Sequence, residues 1–158
     1  MLTRYWLLLA VQINISYNNL CGAKYGGTYT ADGIKAIAES ISVSASITSI
    51  GEDGLNLEGN NLGNEGWGAI FAAVCGSEVS KITSIDASRE IIGSEGAELI
   101  AEALRNTVNA SVTSVSLSMG EEGKALLRKA VEGRQRFELR IQNLQRIPTL
   151  QRQNAICI

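Results

Sequence analysis

The sequence predicts an α/β protein in which one strand–turn–helix unit is stacked about four times, parallel strands in one layer and helices in the other. Two landmarks and a change of hydrophobic period carry that prediction. Ile47-Thr48-Ser49-Ile50 recurs as Ile82-Thr83-Ser84-Ile85 and as Val112-Thr113-Ser114-Val115, spaced by 35 and 30 residues. Gly63-Asn64-Glu65-Gly66 recurs as Gly93-Ser94-Glu95-Gly96 and as Gly120-Glu121-Glu122-Gly123, spaced by 30 and 27 residues. Landmarks recurring in step at such spacings mark internal repeats.

Between the landmarks the apolar residues alternate. Leu55-Asn56-Leu57-Glu58, Ile85-Asp86-Ala87-Ser88 and Val115-Ser116-Leu117-Ser118 each put one face of a short strand toward a core. After each Gly-x-x-Gly landmark the spacing turns helical. Ile70, Phe71 and Val74 share a face, as do Leu99, Ile100, Ala103 and Leu104, and then Leu126, Leu127 and Val131. Asp32, Glu65, Glu95 and Glu122 stand just before a Gly at the expected helix starts, where a negative charge meets the positive end of the helix dipole. One such unit cannot bury both its strand face and its helix face, whereas stacked units close a core between two layers.

The ends of the array are less regular. Ile13-Asn14-Ile15 reads as the first strand, followed by an insertion at 23–31 rich in Gly and Tyr. Gly51-Glu52-Asp53-Gly54 is an extra segment at the start of the second unit, and Phe137-Glu138-Leu139-Arg140-Ile141 reads as a last strand. Met1–Val11 has one positive charge and a short apolar run. It reads as a first strand or hydrophobic cap, with a secretory signal as the lesser alternative because no small-x-small cleavage site follows. No run approaches the roughly 20 apolar residues of a membrane span.

At 45% apolar and 19% charged residues the chain is expected to be globular, and with 5% aromatics its core must come from Ile, Leu, Val and Ala. The net charge of -2 argues against a nucleic-acid footprint. That average conceals an asymmetry, because residues 134–158 hold five Arg against Glu138, a net +4, leaving -6 on the rest. Cys21, Cys75 and Cys157 are too few and too scattered for a disulfide scaffold or a zinc site, and suggest a reduced, cytoplasmic protein. The chain has no histidine, which removes Ser-His and Cys-His nucleophile pairs and histidine metal ligands. Gly33-Ile34-Lys35 and Gly123-Lys124-Ala125 fail the phosphate-loop pattern, and Gly66-Trp67-Gly68 fails the dinucleotide one. No cofactor or metal is therefore expected. Asn14-Ile15-Ser16 and Asn109-Ala110-Ser111 match the glycosylation sequon, a triplet frequent by chance.

Leu55-x-Leu57-x-x-Asn60-x-Leu62-Gly63-x-x-Gly66, followed by an Ala/Leu-rich helix, resembles the ribonuclease-inhibitor class of leucine-rich repeat, the class also found in NOD-like receptors and Ran GTPase-activating proteins. The resemblance runs over about residues 13–133. It implies a right-handed αβ horseshoe segment with strands on the concave face and helices on the convex face. It also implies a division into 1–133, about four repeats, and 134–158, a terminal strand with a basic Gln/Arg-rich tail. Asn60, and Asn18 in the first repeat, would satisfy turn backbone groups; the third repeat has Glu90 there and the shortened fourth lacks the residue. As function the resemblance implies a protein-binding scaffold without catalysis. The alternatives are a GTPase-activating regulator, for which Arg89 is the one candidate residue, and a fragment of a larger NOD-like receptor-type protein.

A partner protein would meet the outward strand positions Asn14, Ser16, Asn56, Glu58, Asp86, Ser88, Ser116 and Ser118, with Arg89 on the adjoining turn. These eight are short and polar, two of them, Glu58 and Asp86, are acidic, and no aromatic anchor stands among them. They form at most a mildly acidic groove for a basic partner. Tyr17, Tyr25 and Tyr29 around the first-repeat insertion are the better anchors, and Trp67 is expected to pack in the core.

Overall fold

The structure is a computed structural model that describes residues 12–22, 27–108 and 111–143. Its elements in chain order are β1 (Ile13–Asn14), α1 (Asp32–Ser42), β2 (Ser49–Ile50), β3 (Leu55–Asn56), α2 (Gly63–Cys75), β4 (Ser84–Ala87), α3 (Ser94–Arg105), β5 (Ser114–Met119), α4 (Glu121–Ala130) and β6 (Glu138–Asn143). The chain is α/β. Its six strands form one open, all-parallel sheet in the order β1-β3-β2-β4-β5-β6, and α1, α2, α3 and α4 pack each on the next. Among the described residues no helix is long and apolar enough to cross a membrane. Residues 1–11, 23–26 of the insertion with Tyr25, 109–110 of the second sequon, and the 144–158 segment with Cys157 lie outside the described residues.

The sheet register explains the first landmark. Ile50 pairs with Ile85, Ile85 with Val115 and Val115 with Leu139, so the last residue of each Ile-Thr-Ser-Ile copy falls in one apolar row. On the far side Ile50 pairs with Leu55 and Leu55 with Ile13. The row faces Ile34, Ile70, Phe71, Ile100, Leu104 and Leu127 of the helices, all essentially without solvent contact. Full burial of such side chains is worth about 1.5–3 kcal/mol each.

The second landmark has a packing cause. Its final glycine lies in the first turn of a helix, against the preceding unit: a Cβ on Gly66 would lie 3.2 Å from Ile34 Cγ2, one on Gly96 2.7 Å from Asn64 Oδ1, and one on Gly123 3.0 Å from the Cβ of Ala97. No helix has a side-chain N-cap hydrogen bond, yet each carries an acid in its first turn. The exposed carboxylates Asp32, Glu65, Glu95 and Glu122 therefore offset the unpaired N–H groups through charge. Glu65 also reaches Lys35 on α1, at 2.5 Å.

Two details differ from the sequence expectation. The buried stripe of α3 runs through Ala97, Ile100, Ala101 and Leu104, while Leu99 is 38% exposed. Leu99 instead spreads over the bare backbone of Gly68, where a Cβ would come within 2.8 Å of it. The second difference concerns residues 51–54, which do more than lengthen an entry turn. They split the strand of that unit, so that β2 pairs with β4 while β3 pairs with β1.

Candidate binding site on the strand face

Splitting one strand opens the sheet. β3 and β4 are not neighbours, because β2 and the 51–54 loop stand between them. Gly51 makes this possible: with φ +138° and the Cβ of Asp86 only 3.0 Å from where its own would be, no other residue fits without strain. Downstream, residues 56–58 and 86–88 flank an open concavity of about 620 Å³, lined by both segments, by Gly51 and Glu52, and by Trp67, which belongs to the helix layer and so forms its floor. Trp67 is 2% exposed, and its Nε1–H is buried without a hydrogen-bond partner.

Side chains replace the backbone ladder across this gap. Arg89 donates to Glu58 Oε2 at 3.1 Å and pairs with Glu52 at 2.6 Å, joining the far lip to the near one. Glu90 accepts from the backbone N–H of Gly59 at 3.2 Å. The Glu58 carboxylate, foremost, and then Glu52 hold the Arg89 guanidinium above its ordinary pKa. Tyr17 donates its hydroxyl to the other oxygen of Glu58, at 2.9 Å, and that bond with the nearby charge raises the Tyr17 pKa. The Tyr17 ring lies over Gly59, where a Cβ would meet it at 2.4 Å, and most of the side chain stays exposed.

The outward residues read from the sequence have mixed roles. Asn14, Asn56 and Asp86 each accept the backbone N–H two residues on, from Ser16, Glu58 and Ser88, at 3.0, 3.0 and 2.9 Å. Such Asx turns end a strand. Ser116 holds the same place in the fourth unit, and there the strand continues to Met119. Asn14 and Asp86 are exposed, and Ser16, Asn56, Glu58, Ser88 and Ser116 half-buried. Ser118 departs from the outward reading. It is fully buried, its hydroxyl donates to the Ser88 carbonyl, and its own carbonyl accepts from Ile92 N–H at 3.4 Å. It therefore lies beyond the reach of a partner.

Beneath the outer row Asn60 ties two units together. It has no solvent contact, donates to the carbonyls of Ile15 and Leu57 at 2.8 and 2.9 Å, and accepts from the N–H groups of Asn18 and Leu20 at 2.8 and 3.4 Å. Asn18, at the corresponding place, is exposed, and its amide donates to the Ser16 carbonyl at 3.1 Å.

Sequence reasoning missed the centre of the site. Tyr17 and Arg89 were legible as candidate anchors, but the ion-pair bridge depends on where the 51–54 loop lands. Arg140, on the segment expected as the last strand, sits on β6 opposite Ser116, and Arg134, at the start of the basic 134–158 stretch, lies 4.3 Å from the Phe137 ring centroid and donates to the Val112 carbonyl at 3.3 Å.

Burial pushes the thiols of Cys21 and Cys75 up in pKa, and burial raises the Tyr29 phenol to about 12 while it donates to the Leu62 carbonyl at 2.7 Å. Among the described residues no group of His, Cys, Asp or Glu is placed to hold a metal ion. Comparison with family models and with curated proteins returned no match for this chain.

Proposed function

We propose that this chain is a protein-binding module of the leucine-rich repeat type, and that it meets its partner through the gap in the strand layer. The observation that carries this reading is the concavity itself, with Glu52, Glu58, Asp86 and Arg89 at its lips and a buried tryptophan at its floor. Sites of this shape with a few converging polar groups are the default places for ligands. The in-step landmarks, the strand order and the helix-on-helix stacking support a solenoid with strands on the inner face and helices on the outer one. Under this reading the free, buried thiols Cys21 and Cys75 suit a reducing compartment such as the cytoplasm.

The GTPase-activating alternative would need Arg89 offered outward to a partner's nucleotide. Two carboxylates hold it instead, so that reading is the weaker one.

Affinity capture with the immobilised chain, compared with a Glu58→Lys/Asp86→Lys variant of unchanged circular dichroism, tests the module reading. Loss of specific partners from the variant is expected. Identical capture by both proteins would reject the strand face as the site.

A further inference from the structure

The lips of the gap carry four carboxylates, Glu52, Glu58, Asp86 and Glu90, against the single guanidinium of Arg89. The concavity is therefore acidic even with Arg89 in place, and the favoured occupant is cationic. A second observation narrows the class. The Nε1–H of Trp67 is an unused donor in a residue that is 2% exposed and lines the same concavity. A buried donor of this kind calls for an acceptor. An occupant that satisfies both carries a cation and a carbonyl close together, as an arginine residue in a peptide does. A metal ion or a free amine has only the cation.

Arg89 shows what the carboxylates can hold. Its guanidinium lies between Glu58 Oε2, at 3.1 Å, and Glu52 Oε1, at 2.6 Å, from a turn whose side chain is 54% exposed. Arginine suits such a place because its planar fork serves two carboxylates at once.

Resting on the module reading above, we propose that the gap binds an arginine side chain of a basic peptide segment, and that Arg89 fills the place in the free protein as an internal competitor. On binding, the peptide guanidinium takes Glu52 and Glu58, its backbone carbonyl meets the indole N–H, and Arg89 swings out to solvent. The inserted loop 51–54 is the hinge of this exchange, because it carries one of the two acids and is anchored at its base by Gly51 N–H to Leu55 O, 3.0 Å, and Gly54 N–H to Gly51 O, 3.2 Å.

The test uses the full chain with Trp6→Phe, which leaves Trp67 as its sole tryptophan, and follows indole fluorescence on titration with a blocked Gly-Arg-Arg-Gly peptide. Its citrulline counterpart, neutral but nearly isosteric, is the reference. The arginine peptide is expected to bind at least tenfold more tightly than the citrulline one, and Glu58→Gln to lose that preference. Arg89→Ala, or Arg89→Gln if the first variant does not fold, is expected to tighten binding by about three- to tenfold, the scale of one or two half-exposed ion pairs. Arg105→Ala removes the same charge from the end of α3 and is expected to change nothing. Equal tightening by both arginine variants would reduce the effect to bulk charge and overturn the proposal. Weaker binding by Arg89→Ala, equal binding of the citrulline peptide, or no binding at all would also overturn it. If the peptide fails while Glu58→Lys/Asp86→Lys still loses its captured partners, the competitor idea falls and the module reading stands.

Discussion

Replacing Asn60 by Ala should cost about 3 kcal/mol of folding stability, more than any exposed asparagine in the chain. The side chain makes three short hydrogen bonds and one long one, to Ile15, Leu57, Asn18 and Leu20. A hydrogen bond contributes about 0.5–1.5 kcal/mol net, and a buried group left unpaired costs about 1–3 kcal/mol. Water can reach the orphaned groups on the half-exposed first unit, so the Leu57 carbonyl, in the core beside the fully buried Leu57 side chain, dominates the penalty. Taken at the low end of both ranges, because water relieves most of the orphaned groups, three ordinary bonds plus one orphaned carbonyl give about 3 kcal/mol. Urea unfolding followed by circular dichroism reads it, as a lower midpoint at unchanged slope. Asn18→Ala is the internal control. Its amide has solvent access and one bond to the Ser16 carbonyl, so a loss under about 1 kcal/mol is expected there. If Asn60→Ala costs no more than Asn18→Ala, the bridging role assigned to Asn60 is wrong.

Other perturbations probe the helix packing, the tyrosine and the floor of the gap. Gly96→Ala should destabilise by about 1–3 kcal/mol, because the new Cβ meets Asn64 and Ile92 closer than 3.0 Å; a neutral result in thermal unfolding would contradict the close approach. The Tyr29 phenol is raised from 10.0 to about 12, so its contribution to stability is complete below pH 10 and is lost as the pH rises through 12. Denaturation scans at pH 9 to 12 should show that loss, and Tyr29→Phe should flatten it; an unchanged slope would reject the assignment. Trp67→Phe loses apolar contact but removes a buried, unpaired N–H, so its net cost should stay within about 2 kcal/mol, whereas a typical Trp truncation to Ala costs about 3–5 kcal/mol. A loss as large as the latter for Phe would mean that the indole N–H is paired.

The strand and helix layers were legible in the sequence because each rests on a local rule. The Ile-Thr-Ser-Ile copies mark one sheet row, and the landmark glycines mark places where helices press on their neighbours. The site was less legible, since its parts gain their meaning from long-range placement. Asn56 and Asp86 look like free polar residues on a strand, and only the turn geometry shows them spent on their own backbone. Ser118 alternates outward in sequence yet is covered by the turn that carries Ser88 and Ile92. The last strand is legible from Phe137 to Ile141, but only the pairing of β6 with β5 places Arg140 beside Ser116. Gly51 to Gly54 reads as a short insertion, and nothing local says that it parts the sheet.

That parting also has a dynamic consequence. Between β1–β3 and the rest of the sheet the ladder narrows to the pairing of Ile50 with Leu55, whereas β5 and β6 share six register positions. Local opening follows the weakest seam. The Gly51 amide, which bonds to the Leu55 carbonyl across that seam, should exchange hydrogen earlier than those of β4 and β5. The outer strip, β1 with β3, then behaves as a leaf of the sheet, joined to the rest of the strand layer at one register position.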